Sequence, residues 1–207
     1  MLNVLLAGVG GQGTVLAAKV LASAAQSKQW QVRTAETIGM AQRGGSVLSH
    51  VRMGSGGEPV HASLVTPGTA DLVIAFEPGE GARALPYLSA RGVLVTAAST
   101  VQPVTAALSG EPYDGAAVIE SIRSALAAQA PEARLLVVDD AAITGAVGTT
   151  RVLNMALLAA ALGTGLFPLS VDDLRQAVRA CVKPQFVDPN LAAIDEALSR
   201  MPAGAVE

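Results

Sequence analysis

The sequence predicts an α/β fold: a Rossmann-like open, mostly parallel sheet with helices on both faces and an antiparallel hairpin. Three observations carry that prediction. Short apolar runs rich in β-branched residues recur along the chain, separated by helix-length stretches. A glycine pattern, Gly8-Val9-Gly10-Gly11-Gln12-Gly13, stands between the first such run and the first helical stretch. Hydrophobic residues make up 51% of the 207 residues but aromatics only 3%, so the core is expected to be built from Ala, Val and Leu. No internal repeat or low-complexity linker divides the chain, and residues 1–207 are expected to form one domain.

Residues 2–8 (LNVLLAG) are an apolar run that predicts a buried strand, and residues 14–26 predict the helix after it. Residues 31–36 alternate inward and outward positions and read as a second strand, and residues 46–53 (SVLSHVRM) as a third. The glycine-rich turn at 54–58 then predicts a hairpin into residues 59–65 (PVHASLV). That strand belongs at an edge, because Pro59 has no N–H for a ladder. Residues 70–76 and 92–98 are nearly uninterrupted apolar runs typical of central parallel strands, with a crossover helix in residues 78–88 between them. Residues 103–112 are looser, and residues 111–118 (EPYDGAAV) read as a connection or a weakly structured excursion. Residues 133–140 predict another buried strand, followed by helices around 148–162, 171–182 and 190–199.

Composition narrows the function classes. The formal charge is −3 with no basic tract, so nucleic acid is not an expected partner. The first residues lack the basic segment and cleavage site of a signal peptide. The uncharged stretch 152–171 is broken by Gly163, Gly165 and Pro168, which makes it a buried helix rather than a membrane span. A soluble, cytoplasmic protein is the expectation. Cys181 is the single cysteine, which excludes an internal disulfide and a cysteine-ligated zinc or iron–sulfur centre held by this chain alone. In its amphipathic setting Cys181 reads as a small buried filler rather than a nucleophile.

The glycine pattern matches G-x-G-x-x-G in a strand–loop–helix setting. Without Cβ atoms such a backbone turns tightly and approaches a pyrophosphate, while the helix N-terminus offers unpaired N–H groups and a favourable dipole. Glycines here also serve close strand–helix packing, and the pattern alone does not choose between the two. Glu36 ends the predicted second strand, where a dinucleotide-binding domain places its ribose-binding acid. The next segment departs from such a domain, which would run quickly into a helix. Glu36 to Ser46 is instead a long polar loop punctuated by Gly39, Gly44 and Gly45. Arg43, flanked by Gln42 and the glycine pair, is placed to meet a phosphate or carboxylate, or else to pair with a surface acid. Loops at the carboxyl ends of the first two strands share one crevice, so the two motifs are expected to meet.

The other candidates are weaker. In the predicted hairpin His50 and His61 face each other, but two histidines without further ligands do not make a metal site. Asp139 and Asp140 are more economically a helix cap than a metal or ribose site, and Asn154 needs a partner if buried. No G-x-S-x-G, H-E-x-x-H or Walker loop occurs, and nothing assembles a nucleophile, a base and an orienting group.

The glycine loop followed by GMAQRGGSVLSHVR (39–52) resembles the gamma-type domain of the 2-oxoacid:ferredoxin oxidoreductases, and is most similar to the beta-type small subunits of the indolepyruvate enzymes. ADLVIAFEPGEGARALPYLS (70–89), TGLFPLS (164–170) and KPQFVDPNLAAI (183–194) extend the resemblance over nearly the whole chain. It implies a subunit of an enzyme that oxidatively decarboxylates arylpyruvates, with coenzyme A receiving the acyl group and ferredoxin the electrons. It further implies a larger alpha-type partner subunit holding thiamine diphosphate, Mg and iron–sulfur clusters, with no cofactor held by this chain alone. Carried onto this sequence, the functional face is Gly8, Gly10, Gly11, Gln12 and Gly13 with Glu36, Gly39, Gln42, Arg43, Gly44, Gly45 and Ser46. The competing readings are a self-sufficient NAD(P)- or FAD-binding enzyme using Gly8–Gly13 and Glu36, and a sensing or scaffold module without turnover.

Overall fold

The computed structural model describes residues 1–39, 45–101 and 113–201. Its strands are β1 (Leu2–Val9), β2 (Val32–Ile38), β3 (Ser46–Met53), β4 (Ala70–Ala75), β5 (Leu88–Ala97) and β6 (Arg134–Val138). Its helices are α1 (Thr14–Ser27), α2 (Pro78–Ala84), α3 (Gly115–Gln129), α4 (Asp140–Val147), α5 (Leu153–Gly163), α6 (Val171–Cys181) and α7 (Pro184–Ser199). Single 3₁₀ turns at Leu85–Tyr87 and Thr150–Val152 join α2 to β5 and α4 to α5. The strands form one sheet in the order β2-β3-β1-β4-β5-β6. β1, β4, β5 and β6 pair in parallel, while β3 runs antiparallel to both of its neighbours.

The apolar runs are central strands because both sheet faces are covered. On one face Val4 and Leu6 of β1 pack with α1, α5, α6 and α7; on the other Leu5 and Ala7 pack with α2 and α3. α5 is apolar all round and buried from Asn154 to Leu162, which explains its membrane-like composition: it lies in the core. Sequence-local caps set several helix starts. Asp114 accepts from the N–H groups of Ala116 and Ala117, Asp139 accepts from Ala142, and Ser170 with Asp173 forms a reciprocal capping box.

The expected hairpin strand at 59–65 is absent, and the reason lies in β3. Met53 pairs with Leu2 on one side and Val32 on the other, so both edges of β3 are already taken. The antiparallel hairpin is therefore β2–β3, and residues 59–65 run as irregular chain. His50 accordingly faces Leu5 and Ala35, while His61 is exposed elsewhere. The end of the expected excursion, from residue 115, is helix α3, started by the Asp114 cap; residues 103–112 lie outside the described residues. β5 starts at Leu88, earlier than expected, and the final helix starts at Pro184 rather than residue 190, with Pro189 inside it.

Candidate functional site

The glycine loop closes the carboxyl end of β1 and opens α1. Gly11 and Gly13 take left-handed φ values of +101° and +83°, which a side chain would strain. The glycines divide by role. A Cβ on Gly8 would meet Phe76 Cδ2 at 2.8 Å and Thr14 Cγ2 at 2.9 Å, and one on Gly13 would meet Asn154 Nδ2 at 2.7 Å. These two serve close packing. A Cβ on Gly11 would meet nothing within 4 Å, so this residue fronts open space.

Gln12 holds the loop shut. Its Oε1 accepts from the Val9 N–H at 2.7 Å and its Nε2 donates to the Phe76 carbonyl at 2.9 Å, tying the end of β1 to the end of β4. Asn154 does the same from α5, donating to the Gly13 carbonyl at 3.3 Å and accepting from the Met155 N–H at 2.9 Å. The partner that a buried Asn154 requires is thus the glycine loop itself. α1 begins with no side-chain cap and no acid in its first turn, which leaves its N-terminus suited to an outside anion. A cleft of about 940 Å³ faces this loop, lined by Gly11, Gly13, Ser99, Thr144, Thr149 and Asn154 among others. It lies outside the carboxyl ends of the parallel strands, where open α/β sheets bind ligands. Asp140, at its margin, accepts from the N–H groups of Ala98 and Ser99 and so fastens the chain after β5.

The second motif meets the first through backbone. The Gly10 N–H donates to the Gly45 carbonyl at 3.0 Å, and the Gly39 N–H donates to the Ser46 carbonyl at 2.8 Å, closing the base of the loop. Gln42, Arg43 and Gly44 lie outside the described residues. Ser46 Oγ donates to Glu80 Oε2 at 2.5 Å, and Glu80 also receives Arg83. Glu77 Oε2 caps α2 by accepting the Glu80 N–H at 3.0 Å, while its Oε1 receives the Tyr113 hydroxyl. Burial first, and then this hydrogen bond to Glu77, push the Tyr113 phenol above its ordinary range. Both carboxylates are 2% exposed. Sequence reading passed over this pair, although two acids around Pro-Gly at a strand end were the available signal.

Glu36 stands apart from the loop. It pairs with Ser49, and Ser49 with Leu6, so β3 lies between Glu36 and β1. At ordinary strand spacing that is roughly 10 Å, and the adjacent-strand placement of a ribose-binding acid does not arise. His50 is 3% exposed; its Nδ1 accepts from the Val65 N–H at 3.2 Å and its ring meets Tyr87 edge-on. Burial lowers its pKa, with Glu36 acting in the opposite direction. Among the described residues no group of three or more His, Cys, Asp or Glu is arranged to hold a metal ion.

The family model for pyruvate ferredoxin/flavodoxin oxidoreductase matches residues 3–200. The indolepyruvate oxidoreductase subunit IorB of Methanothermobacter thermautotrophicus is 36% identical over 191 residues, which cover 92% of this chain and 93% of that protein. The subunit of the same name from Pyrococcus horikoshii is 33% identical over 193 residues, covering 93% and 92%. Among solved structures, the gamma subunit of a keto/oxoacid ferredoxin oxidoreductase from Geobacter sulfurreducens shares the fold at TM-score 0.66 and 21% identity, over 96% of this chain and 97% of that one. The 2-oxoglutarate:ferredoxin oxidoreductase of Magnetococcus marinus, solved with 2-oxoglutarate, coenzyme A and succinyl-CoA bound, matches at TM-score 0.67 and 19% identity, over 96% of this chain and 30% of that one. With its sequence matched almost end to end and its sheet shared with the gamma-type subunits, the chain belongs to the pyruvate ferredoxin/flavodoxin oxidoreductase family.

Proposed function

We propose that the chain is the small subunit of a thiamine-dependent 2-oxoacid ferredoxin oxidoreductase acting on indolepyruvate or another arylpyruvate. Its glycine loop and Gly39–Ser46 segment form one wall of a site shared with a larger subunit. The observation that carries this reading is the Gly10–Gly45 backbone contact, which joins the two motifs at the open end of the sheet. A single cysteine cannot ligate an iron–sulfur cluster, so the clusters are assigned to the larger subunit; the family resemblance assigns thiamine diphosphate and Mg to it as well. Thiamine diphosphate supplies the chemistry by which a 2-oxoacid loses carbon dioxide; coenzyme A takes the acyl group and ferredoxin the electrons.

This chain's own residues have more modest tasks. The N–H groups of Gly11 and Gly13, on either side of the Gln12 N–H that is donated to the Val9 carbonyl, offer an anion a place at the start of α1, which suits a phosphate group. Gln12 and Asn154 keep the loop in position, and the Ser46–Glu80 bond fixes the end of the second loop. A self-sufficient nicotinamide or flavin enzyme fits less well, because β3 separates Glu36 from β1. Among the described residues no helix is long and apolar enough to cross a membrane; a single cytoplasmic domain over 1–207 is part of the proposal.

The test is co-expression with a neighbouring gene product carrying thiamine and cysteine-cluster motifs. The pair is expected to co-purify and to reduce ferredoxin with an arylpyruvate and coenzyme A. Absence of a complex, full activity of the larger subunit alone, or NAD(P) or flavin turnover by this chain alone would overturn the reading.

A further inference from the structure

The seven-residue helix α2 is capped by one side chain, that of Glu77. Its first turn nevertheless buries a second carboxylate, Glu80, whose oxygens take no part in the cap. Burying a carboxylate is costly unless its oxygens are paired. At Glu80 both are: Oε2 accepts from the Ser46 hydroxyl at 2.5 Å, and Oε1 receives Arg83 from the next turn. The bond across to Ser46, 34 positions earlier in the chain, is one that α2 itself does not need.

Glu80 is in turn held still. Its N–H donates to Glu77 Oε2 at 3.0 Å, and Glu77 Oε1 receives the Tyr113 hydroxyl. A Cβ on Gly79 would meet that hydroxyl oxygen at 2.7 Å, so a side chain there would displace it. At the other end of the Glu80 contact lies the second motif. Gly45, next to Ser46, accepts the Gly10 N–H with its carbonyl at 3.0 Å. Phe76, next to Glu77, accepts from Gln12 Nε2 with its own carbonyl at 2.9 Å. The end of β4 and the first turn of α2 thus grip the glycine loop twice. One grip runs directly through Phe76, the other through Glu80, Ser46 and Gly45.

We infer that Glu80 is a positioning residue: by fixing Ser46 it seats the Gly45 carbonyl on the Gly10 N–H and holds the two motifs in register. Its effect on turnover rests on the subunit reading above, whereas its effect on the loop belongs to this chain alone. The reach of the side chain matters here more than its charge. Aspartate keeps the charge but is one methylene short of Ser46. Glutamine loses the charge but keeps the reach, and its amide can accept from or donate to the Ser46 hydroxyl.

The test follows amide hydrogen exchange at Gly10 by NMR in the full-length chain, relative to the amides of β4. Glu80→Asp and Ser46→Ala are each expected to raise that relative rate by about tenfold or more, since one charge-assisted bond is lost locally. Glu80→Gln should stay within about threefold of the unaltered chain. The Ser46→Ala, Glu80→Asp double variant should exchange no faster than the faster single one, because both remove the same contact. In the complex with the larger subunit, ferredoxin reduction should fall by about tenfold in Glu80→Asp and recover in Glu80→Gln, with assembly retained. An unprotected Gly10 N–H in the unaltered chain, glutamine no better than aspartate, additive single effects, or full turnover in an assembled Glu80→Asp complex would overturn the inference. An inactive unaltered complex overturns the subunit reading alone, and the exchange pattern then decides the role of Glu80 without it.

Discussion

Gly13 shows how one residue serves the site without touching a ligand. It sits at φ +83° with Asn154 Nδ2 where a Cβ would go, so Gly13→Ala adds both backbone strain and a clash. The expected loss is about 2–4 kcal/mol, measured by urea denaturation, because left-handed strain costs about 1–3 kcal/mol and overpacking a similar amount. Gln12 teaches a related lesson about legibility. Its position inside a G-x-G-x-x-G marks it as a ligand contact, yet both of its polar ends are spent on the backbone of Val9 and Phe76. No local pattern announces a partner 64 residues away. His50 permits a pH prediction. Burial holds its folded-state pKa below the ordinary 6.5, so the unfolded chain binds more protons as pH falls past that value. Its contribution to stability is complete above about pH 6.5 and is lost as pH drops toward the lowered folded value. Thermal melts between pH 7.5 and 5 should therefore decline less steeply in His50→Gln, whose amide oxygen can still accept from Val65. An equal or steeper decline would contradict this.

At the scale of elements, the runs that read correctly were those whose burial is written into their own residues. β1 and β4 fall within about two residues of expectation, because nearly unbroken apolar stretches have no other place to go. What failed depended on competition between segments. Residues 59–65 carry strand-like alternation, but a strand needs a free edge, and β2 and β1 occupy both edges of β3. α3 was hidden for the opposite reason: residues 111–118 read as a connection or a weakly structured excursion, whereas Asp114 within them is the cap that begins the helix. Asp114→Ala leaves two N–H groups without their acceptor, and a loss of about 0.5–2 kcal/mol is expected on chemical denaturation. Asp114→Asn, which keeps an acceptor oxygen, should recover most of it. If alanine and asparagine cost the same, the cap is not what stabilises α3.

For the whole molecule, the sheet is a rigid frame whose two faces are packed and whose carboxyl end is left for chemistry. The meeting of the two motifs was legible, since sheet topology alone brings the loops after β1 and before β3 to one end; the buried Glu77–Glu80 pair that braces them was not, because burial is a property of the finished fold. Within that frame Gly11 is the position that separates stability from function. It shares the left-handed backbone of Gly13 but faces open space, so Gly11→Ala carries strain without a clash. It should cost the isolated chain only about 1–2 kcal/mol, and the variant should still assemble with the larger subunit. Ferredoxin reduction by the assembled complex should nevertheless fall by about tenfold or more, since the methyl group and any relaxation of φ disturb N–H groups aimed at an anion. Co-purification and turnover are read on the same preparation. Full turnover in an assembled Gly11→Ala complex would remove the glycine loop from the shared site, and loss of assembly with normal stability would make the loop a docking surface instead.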